Sequence, residues 1–288
     1  MTYPKKIELF LVDGNPEGII IAELSNWDAK LIKIPREELR KSEREDLEQP
    51  GVYFLFCKND DGEDSVYIGE AENIKNRLTE HIRSFNRGEK DYYWNTAVII
   101  TSNKLNKTLI RYLENKYVEI TKECNRYKLL TKSTGTNGVI SESDEAVMEE
   151  FIENSKITIN TLGYKVLQPL VSKKLKNNEE EPDETNNETE KLYLKFGDTY
   201  GEAIQTSEGF ILLEGAKISS TTVKSIPKKV IKMRRNYEKT GLIENNITKS
   251  DLIFTSPSQA ADFVSGSNLS GPKYWKNKDG KSLNELDS

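Results

Sequence analysis

Gly51-Val-Tyr-Phe-Leu-Phe-Cys57, followed after a polar turn by Ser65-Val-Tyr-Ile-Gly-Glu-Ala-Glu-Asn-Ile-Lys-Asn-Arg-Leu-Thr-Glu-His81, is the stretch on which the fold turns. Val52 to Cys57 and Ser65 to Ile68 are β-branched and aromatic, and Asp60-Asp-Gly-Glu-Asp64 between them is turn chemistry, so the pair reads as two joined strands. Beyond Gly69 the period changes. Ile74, Leu78, Ile82 and Phe85 recur at the spacing of one buried helical stripe, which predicts a helix from Asn73 to Phe85. Arg77 and His81 lie four apart on that helix, on one face, beside the stripe and not inside it.

Upstream, Ile7 to Val12 and Gly18 to Leu24 are apolar runs separated by Asp13-Gly-Asn-Pro-Glu-Gly18, a hairpin signature. Pro35 to Leu47 reads as a short polar helix opened by proline. Downstream, Thr96 to Thr101 is a third strand. Asn106 then caps a helix to about Cys124, with Leu109, Leu113, Tyr117 (or Lys116) and Ile120 on its core side. A further helix is expected from Ser143 to about Asn154, with Ser141 and Asp144 at capping-box spacing.

Residues 173–191 hold seven acids against four lysines and almost nothing apolar, so they cannot bury surface and read as an acidic flexible linker. Beyond it, Leu192 to Phe196 and Gly209 to Glu214 are strand-like, and Pro227 to Glu238 is a basic helix with Gly241 past its end. Ser258 to Ser265 is a short helix, and Tyr274 to Leu283 looks like a terminal hairpin. The expected fold class is thus α+β in two domains.

Composition narrows the class. The chain has 288 residues, 35% of them hydrophobic and 31% charged, which suits two modest cores. The net charge of −5 argues at first against nucleic acid, but −3 of it sits in the linker, and a nearly neutral remainder can still carry a basic face. Cys57 and Cys124 read as reduced, buried thiols, and no Cys/His spacing suggests zinc. Neither a signal-peptide core nor a run of 18 apolar residues occurs, so the expectation is a cytoplasmic protein with no membrane partner.

Several side chains have the chemistry of phosphodiester hydrolysis, which needs a polarised phosphate, an activated water and a counter to developing charge. An arginine fork such as that of Arg77 suits a phosphate oxygen. His81 is the only histidine, and imidazole is the side chain best tuned to move protons near pH 7. Glu114, beside an apolar helical stripe, could hold one hard cation together with water and substrate oxygens. Taken singly, each has an ordinary structural reading. An Arg/His pair on a helix is usually a solvated face, a helical glutamate is usually surface, and a strand tyrosine is usually core.

In combination they form an ordered pattern: Gly51-Val-Tyr53, Tyr67-Ile-Gly69 fourteen residues on, Arg77, His81, and then Glu114 on the next helix. This closely resembles the GIY-YIG nuclease superfamily. The resemblance implies a small three-stranded antiparallel sheet flanked by helices, here with an N-terminal hairpin extension. It implies a metal-dependent endonuclease that hydrolyses DNA using one divalent ion, Mg2+ or Mn2+. By analogy, Tyr53 or His81 helps deprotonate the attacking water, and Tyr67 hydrogen-bonds to water or phosphate. Arg77 stabilises the pentacovalent phosphate and Glu114 ligates the metal, while Gly69 lets the backbone turn closely beside the site. Two positions depart from the pattern. Glu70 stands where many members have lysine or another polar residue. Lys128 follows Arg126-Tyr127 where an asparagine often orients the site, leaving Asn125 and Asn137 as stand-ins.

The same resemblance, to a bacterial-type branch with a C-terminal domain of unknown function, divides the chain into three parts. Residues 1–172 are the nuclease domain with its core at about 49–130, 173–191 are the linker, and 192–288 are the second domain. In that second domain Lys228, Lys229, Lys232, Arg234 and Arg235 are candidate DNA contacts, and Tyr274 and Trp275 could stack on a base. The alternative reading is a non-cleaving DNA-binding or modified-DNA-sensing module. A third is a structural adaptor that binds another protein through residues 192–288.

Overall fold

Strand residues alternate between two faces, so a strand buried on both sides feeds two cores at once. That is the organising fact of the N-terminal unit. The computed structural model describes residues 4–58, 64–132, 135, 140–170 and 190–288. The chain forms two compact units, Met1–Pro169 and Leu170–Ser288, which are treated separately. The expected linker lies almost wholly outside the described residues, as does Asn137.

In the first unit β1 (Ile7–Leu11), β2 (Ile20–Leu24) and β3 (Lys30–Pro35) lead into β4 (Gly51–Lys58), β5 (Asp64–Ala71) and β6 (Trp94–Thr101), with a two-residue β7 (Lys128–Leu129). The sheet runs β1-β2-β3-β6-β4-β5-β7, antiparallel except for the parallel β5–β7 pair. The expected three-stranded antiparallel sheet is therefore present as β6-β4-β5. The N-terminal hairpin extends it through β3, a strand that the sequence reading missed. Lys30 and Lys33 interrupt its apolar run, yet Leu31, Ile32 and Ile34 are all fully buried against β2 and β6.

The two faces are cleanly separated. Val52, Phe54 and Phe56 of β4, Val66 and Ile68 of β5, and Val98 and Ile100 of β6 pack with Leu109, Ile110, Leu113 and Tyr117 of α3 (Lys107–Cys124). Met148, Phe151 and Ile152 of α4 (Glu142–Thr161) complete that face. Tyr53, Leu55 and Cys57 point the other way, with Ala97 and Ile99, toward Ile74, Leu78 and Ile82 of α2 (Ile74–Asn86). Asn73 caps α2 by accepting from the Asn76 N–H, Asn106 caps α3 by accepting from two N–H groups, and Ser141 caps α4 from the Asp144 N–H. Helix α4 runs seven residues beyond its expected end at Asn154, because Thr158 and Ile159 find buried places against the core.

The helix expected over Pro35–Leu47 is corrected. Only α1 (Arg36–Leu39) and a 3₁₀ turn at Glu45–Glu48 form. The turn is pinned by its own Asp46, which accepts from Arg44 Nε at 3.0 Å and Nη2 at 2.6 Å, and from Lys30 Nζ of β3 at 3.3 Å. Leu39 and Leu47 are both fully buried, so the broken course still delivers both side chains to the core. Cys57 and Cys124 are free and buried, as expected.

In the second unit β8 (Lys191–Phe196), β9 (Thr199–Thr206), β10 (Gly209–Leu212) and β13 (Leu252–Phe254) form an antiparallel sheet ordered β13-β10-β9-β8, beside a small ribbon of β11 (Ile243–Glu244) and β12 (Ile247–Thr248). It packs with α5 (Lys228–Lys239) and α6 (Pro257–Ser265) around Phe210, Phe254, Phe263 and Trp275. The terminal segment is less a hairpin than a clasp. Short helices α7 (Gly271–Tyr274) and α8 (Leu283–Leu286) flank single bridges from Lys276 to Tyr193 and Ser282. Trp275 is fully buried and donates from Nε1 to the Pro257 carbonyl at 2.9 Å, so it serves the core and is not a base-stacking residue. Tyr274 remains partly exposed, its ring edge-on to Phe196. Among the described residues no helix is long and apolar enough to cross a membrane.

Candidate active site

Antiparallel register sets Tyr53 of β4 directly opposite Gly69 of β5, and Leu55 opposite Tyr67. Both tyrosines therefore face α2, and their rings stack nearly parallel with centroids 6.3 Å apart. Gly69 is needed there for space. A methyl group on its Cα would lie 2.5 Å from Tyr53 Cζ and closer still to Oη. The sequence reading assigned Gly69 to a close backbone turn, but it lies within β5 and its role is to seat the Tyr53 ring.

His81 comes from α2 to meet them. Its Nε2 is 3.0 Å from Tyr53 Oη, and its ring is 5.0 Å, edge-on, from that of Tyr67. On the far side, Nδ1 is 2.6 Å from Lys90 Nζ and 3.1 Å from Tyr92 Oη, and Lys90 also donates to Tyr92 Oη at 3.1 Å. The imidazole is 2% exposed, so it sits inside the packed face and not beside it. Burial, then the charges of Lys90, Arg77 and Arg36, push its pKa down to about 3. The expectation of an imidazole tuned to titrate near pH 7 is thus corrected: His81 is neutral throughout the physiological range.

Arg77, one turn earlier, is half-exposed and pairs with Glu80 through Nη1 at 2.6 Å. Burial raises both phenols above their ordinary value, while the positive charge of Arg77 works in the opposite direction on each. Glu114 approaches from α3, across the sheet. At the outer edge of β5, β7 pairs with Ser65 and Val66. Thr131 Oγ1 seals the next backbone pair on that edge, accepting from Ile68 N–H and donating to Ile68 O, each at 2.9 Å. The Glu114 charge acts on Tyr53 and Tyr67, and that of Arg77 acts on Glu114, so the five expected residues share one electrostatic neighbourhood.

Glu114 is only 9% exposed. Burial, reinforced by the neighbouring charge of Glu70, raises its carboxyl to about 7 despite Arg111 and Arg77. A buried carboxylate with a second acid nearby and too little positive charge to offset it has the donor chemistry that a hard cation fits. Among the described residues there is no group of three or more His, Cys, Asp or Glu side chains able to hold a metal, so a bound ion would draw its remaining ligands from water and substrate.

Lys90, Tyr92, Thr131 and Glu70 complete the site, and of these only Glu70 was singled out in the sequence, as a departure. The run Lys90-Asp-Tyr-Tyr-Trp94, polar and aromatic, is the one sequence signal for Lys90 and Tyr92. Asn125 forms the left-handed C-cap of α3 at φ 48°, its backbone N–H donating to Thr121 O.

In the second unit the basic helix α5 divides in two. Lys228, Lys232, Arg235 and Lys239, spaced four, three and four apart, are exposed, as is Lys229, and among the described residues none of the five has an ion-pair partner. Arg234 is the exception. It is 6% exposed and donates to Phe263 O, Ser219 O and Val264 O, clamping α5 onto the end of α6. The expectation that Arg234 contacts DNA is overturned, because all its donors are turned inward.

The class of the first domain comes from family comparison. Residues 49–128 match the model of the GIY-YIG catalytic domain, and residues 192–287 match that of a domain of unknown function (DUF4357). The chain is a GIY-YIG protein with a C-terminal domain of unknown function. GIY-YIG domains are nucleases acting on DNA, usually endonucleases, and generally use divalent metal ions. No curated protein and no solved structure matches the chain.

The raised Glu114 carboxyl has a consequence for stability. An unfolded glutamate releases its proton near 4.5 and the folded one near 7, so between these values the folded state binds more protons. Stability contributed by this group therefore falls as pH rises from about 4.5 to about 7 and stays lower above. With divalent ions chelated, Glu114→Gln is expected to be more stable than wild type at pH 8, by up to about 3 kcal/mol, and to converge with it near pH 4. Urea midpoints of the N-terminal unit at the two pH values check this. A less stable variant at pH 8 would contradict it.

Proposed function

We propose that the protein is a metal-dependent endonuclease that hydrolyses DNA phosphodiester bonds in the cleft formed by Tyr53, Tyr67, Arg77, His81 and Glu114. The observation that carries this reading is the 3.0 Å hydrogen bond between His81 Nε2 and Tyr53 Oη, with Arg77 and Glu114 in the same field. A catalytic base for water is needed, and the sequence left Tyr53 and His81 as alternatives. We favour Tyr53: both His81 ring nitrogens are engaged, whereas His81 Nε2 and the charge of Arg77 lie beside the Tyr53 oxygen and favour a phenolate there.

In this mechanism Tyr53 first loses its phenolic proton to solvent. The phenolate then takes a proton from water, whose oxygen attacks phosphorus, and the ester P–O bond breaks with its electron pair leaving on the sugar oxygen. Tyr67 hydrogen-bonds to the water or to a phosphate oxygen. The half-exposed Arg77 guanidinium steadies the charge on the pentacovalent phosphate. Glu114 would hold one divalent ion, Mg2+ or Mn2+, with Glu70 adding negative potential. Such an ion, when bound, polarises the phosphate and offsets developing charge.

The second unit supplies what the first lacks. Residues 192–287 contain 14 Lys and Arg against 11 Asp and Glu, a net of +3, whereas residues 1–169 contain 24 against 29, a net of −5. The exposed row Lys228, Lys232, Arg235 and Lys239, together with Lys229, spans roughly 16 Å at 1.5 Å per residue and suits a phosphate backbone read without regard to sequence. We assign it to holding the substrate.

Incubating plasmid DNA with purified protein and Mg2+ tests the catalytic reading. Wild type is expected to nick or linearise it, Glu114→Ala to abolish scission, and Tyr53→Phe to slow it by about 10²–10⁴-fold. Because burial raises the Tyr53 pKa, the base form grows with pH, so the wild-type rate is expected to climb from pH 7 to pH 9 and the Tyr53→Phe rate to stay flat. No scission by wild type, or equal scission by Glu114→Ala, would contradict the reading and favour the non-cleaving binding module. Separately, Lys228→Ala/Lys232→Ala/Arg235→Ala is expected to weaken DNA binding and to reduce the slope of log K against log salt by about 2–3. An unchanged slope would remove α5 from the interface.

A further inference from the structure

His81 is flanked by hydrogen-bonding groups on both ring nitrogens, and only one of its two neutral tautomers suits them. Lys90 Nζ lies 2.6 Å from Nδ1, the shortest approach to the ring, and 3.1 Å from Tyr92 Oη. A lysine ammonium carries three donors and no lone pair. Nδ1 opposite it must therefore be the acceptor nitrogen, which leaves the single proton of a neutral imidazole on Nε2, 3.0 Å from Tyr53 Oη. Tyr92 Oη, 3.1 Å from Nδ1, fits the same scheme as an acceptor from Lys90.

We propose that Lys90 is a positioning residue that locks His81 in the Nε2–H tautomer, making the imidazole a standing hydrogen-bond donor to the Tyr53 oxygen and never a proton acceptor. The proposal rests on the reading of Tyr53 as the base and says how that base is prepared. With one lone pair of Tyr53 taken up by Nε2–H, its own hydroxyl proton must point away from His81. When that proton leaves to solvent, the Nε2–H bond becomes charge-assisted and holds the phenolate. When the phenolate takes a proton from water, the new O–H bond forms on Tyr53 Oη, and His81 keeps its proton throughout.

The chain places Lys90 deliberately. Helix α2 ends in a Schellman turn: Gly88 adopts φ 71°, its N–H donates to Phe85 O, and Glu89 N–H donates to Ser84 O. That reversal carries Lys90 and Tyr92 back alongside His81, which left the same helix one and a half turns before its end. The groups facing the imidazole are Tyr53 from β4, Tyr67 from β5, Lys90 and Tyr92 from this loop, and the charges of Arg77 and Arg36. Lys90 itself is lowered by burial and then by Arg77, while Glu80 and Glu89 favour its charged form. A neutral amine, with a lone pair as well as two donors, would leave either tautomer open.

Because the chain has one histidine, its imidazole can be read alone in the intact protein. Two-bond 15N–1H correlation of 15N-histidine-labelled full-length protein is expected to show a protonated-type Nε2 and an unprotonated-type Nδ1, unchanged between about pH 8 and pH 5, where His81 stays neutral. Lys90→Met is expected to lose the single tautomer, with Nδ1–H now free to donate to Tyr92. Lys90→Arg, whose guanidinium also lacks an acceptor, is expected to restore it. In cleavage assays Lys90→Met should lower kcat about 10–100-fold, the worth of one hydrogen bond to a charged group, with KM within about threefold of wild type. Nδ1–H in the wild type, a Lys90→Met spectrum identical to wild type, or a wild-type rate despite an altered tautomer would each overturn the lock. A wild type that shows the Nε2–H spectrum but never cuts DNA would uphold the lock and sink the hydrolytic reading, so the two fail separately.

Discussion

The ring of Tyr53 has one place to go, across the backbone of Gly69 on the neighbouring strand, and most of what is unusual about this site follows from that packing. Antiparallel register sets the two residues opposite each other, and the missing side chain at Gly69 admits the phenol to a position with 0% exposure. Removed from water, the phenol resists ionisation and must be hydrogen-bonded, and His81 Nε2 answers that need. His81, buried in turn, is kept neutral and requires partners for its other nitrogen, which Lys90 and Tyr92 supply. Each polar group is satisfied by the next, so the network forms as a unit or is costly in every part.

The opposing carboxylate follows a different logic. Glu114 comes from α3, its charge acts on Tyr53 and Tyr67, and that of Arg77 acts on it. Its buried, uncompensated negative charge works against the folded state, and a residue of this kind is retained where a ligand repays the cost. The proposal that residues 192–287 hold the substrate has an electrostatic basis too. Residues 1–169 carry a net of −5, while residues 192–287 carry a net of +3 and an exposed basic helix.

Much of this was legible in the residues. The two strand signatures and the α2 stripe of Ile74, Leu78 and Ile82 located the sheet and the helices, and the spacing of Arg77, His81 and Glu114 picked out the candidate site, because periodicity and register are local properties. What escaped depended on long-range contacts. β3 is interrupted by lysines and becomes a strand only through pairing with β2 and β6. The polar segment after Pro35 is broken by an ion pair to Lys30 of that same strand. Arg234 looked like its basic neighbours until its fork was found closed on three carbonyl oxygens, and Trp275 looked available until it was found in the core. Lys90 has no signature beyond the polar and aromatic run it opens, since its meaning lies in a turn that brings it back to a histidine nine residues earlier.

The central claim is that water, activated at Tyr53, is what breaks the phosphodiester. Mass spectrometry of DNA ends produced in 18O-enriched water reads this directly. The account requires one solvent-derived 18O on the phosphate of every new end, with no protein–DNA adduct formed along the way. Ends that carry only 16O, or a strand trapped covalently on a tyrosine, would show that the cleft works by another chemistry.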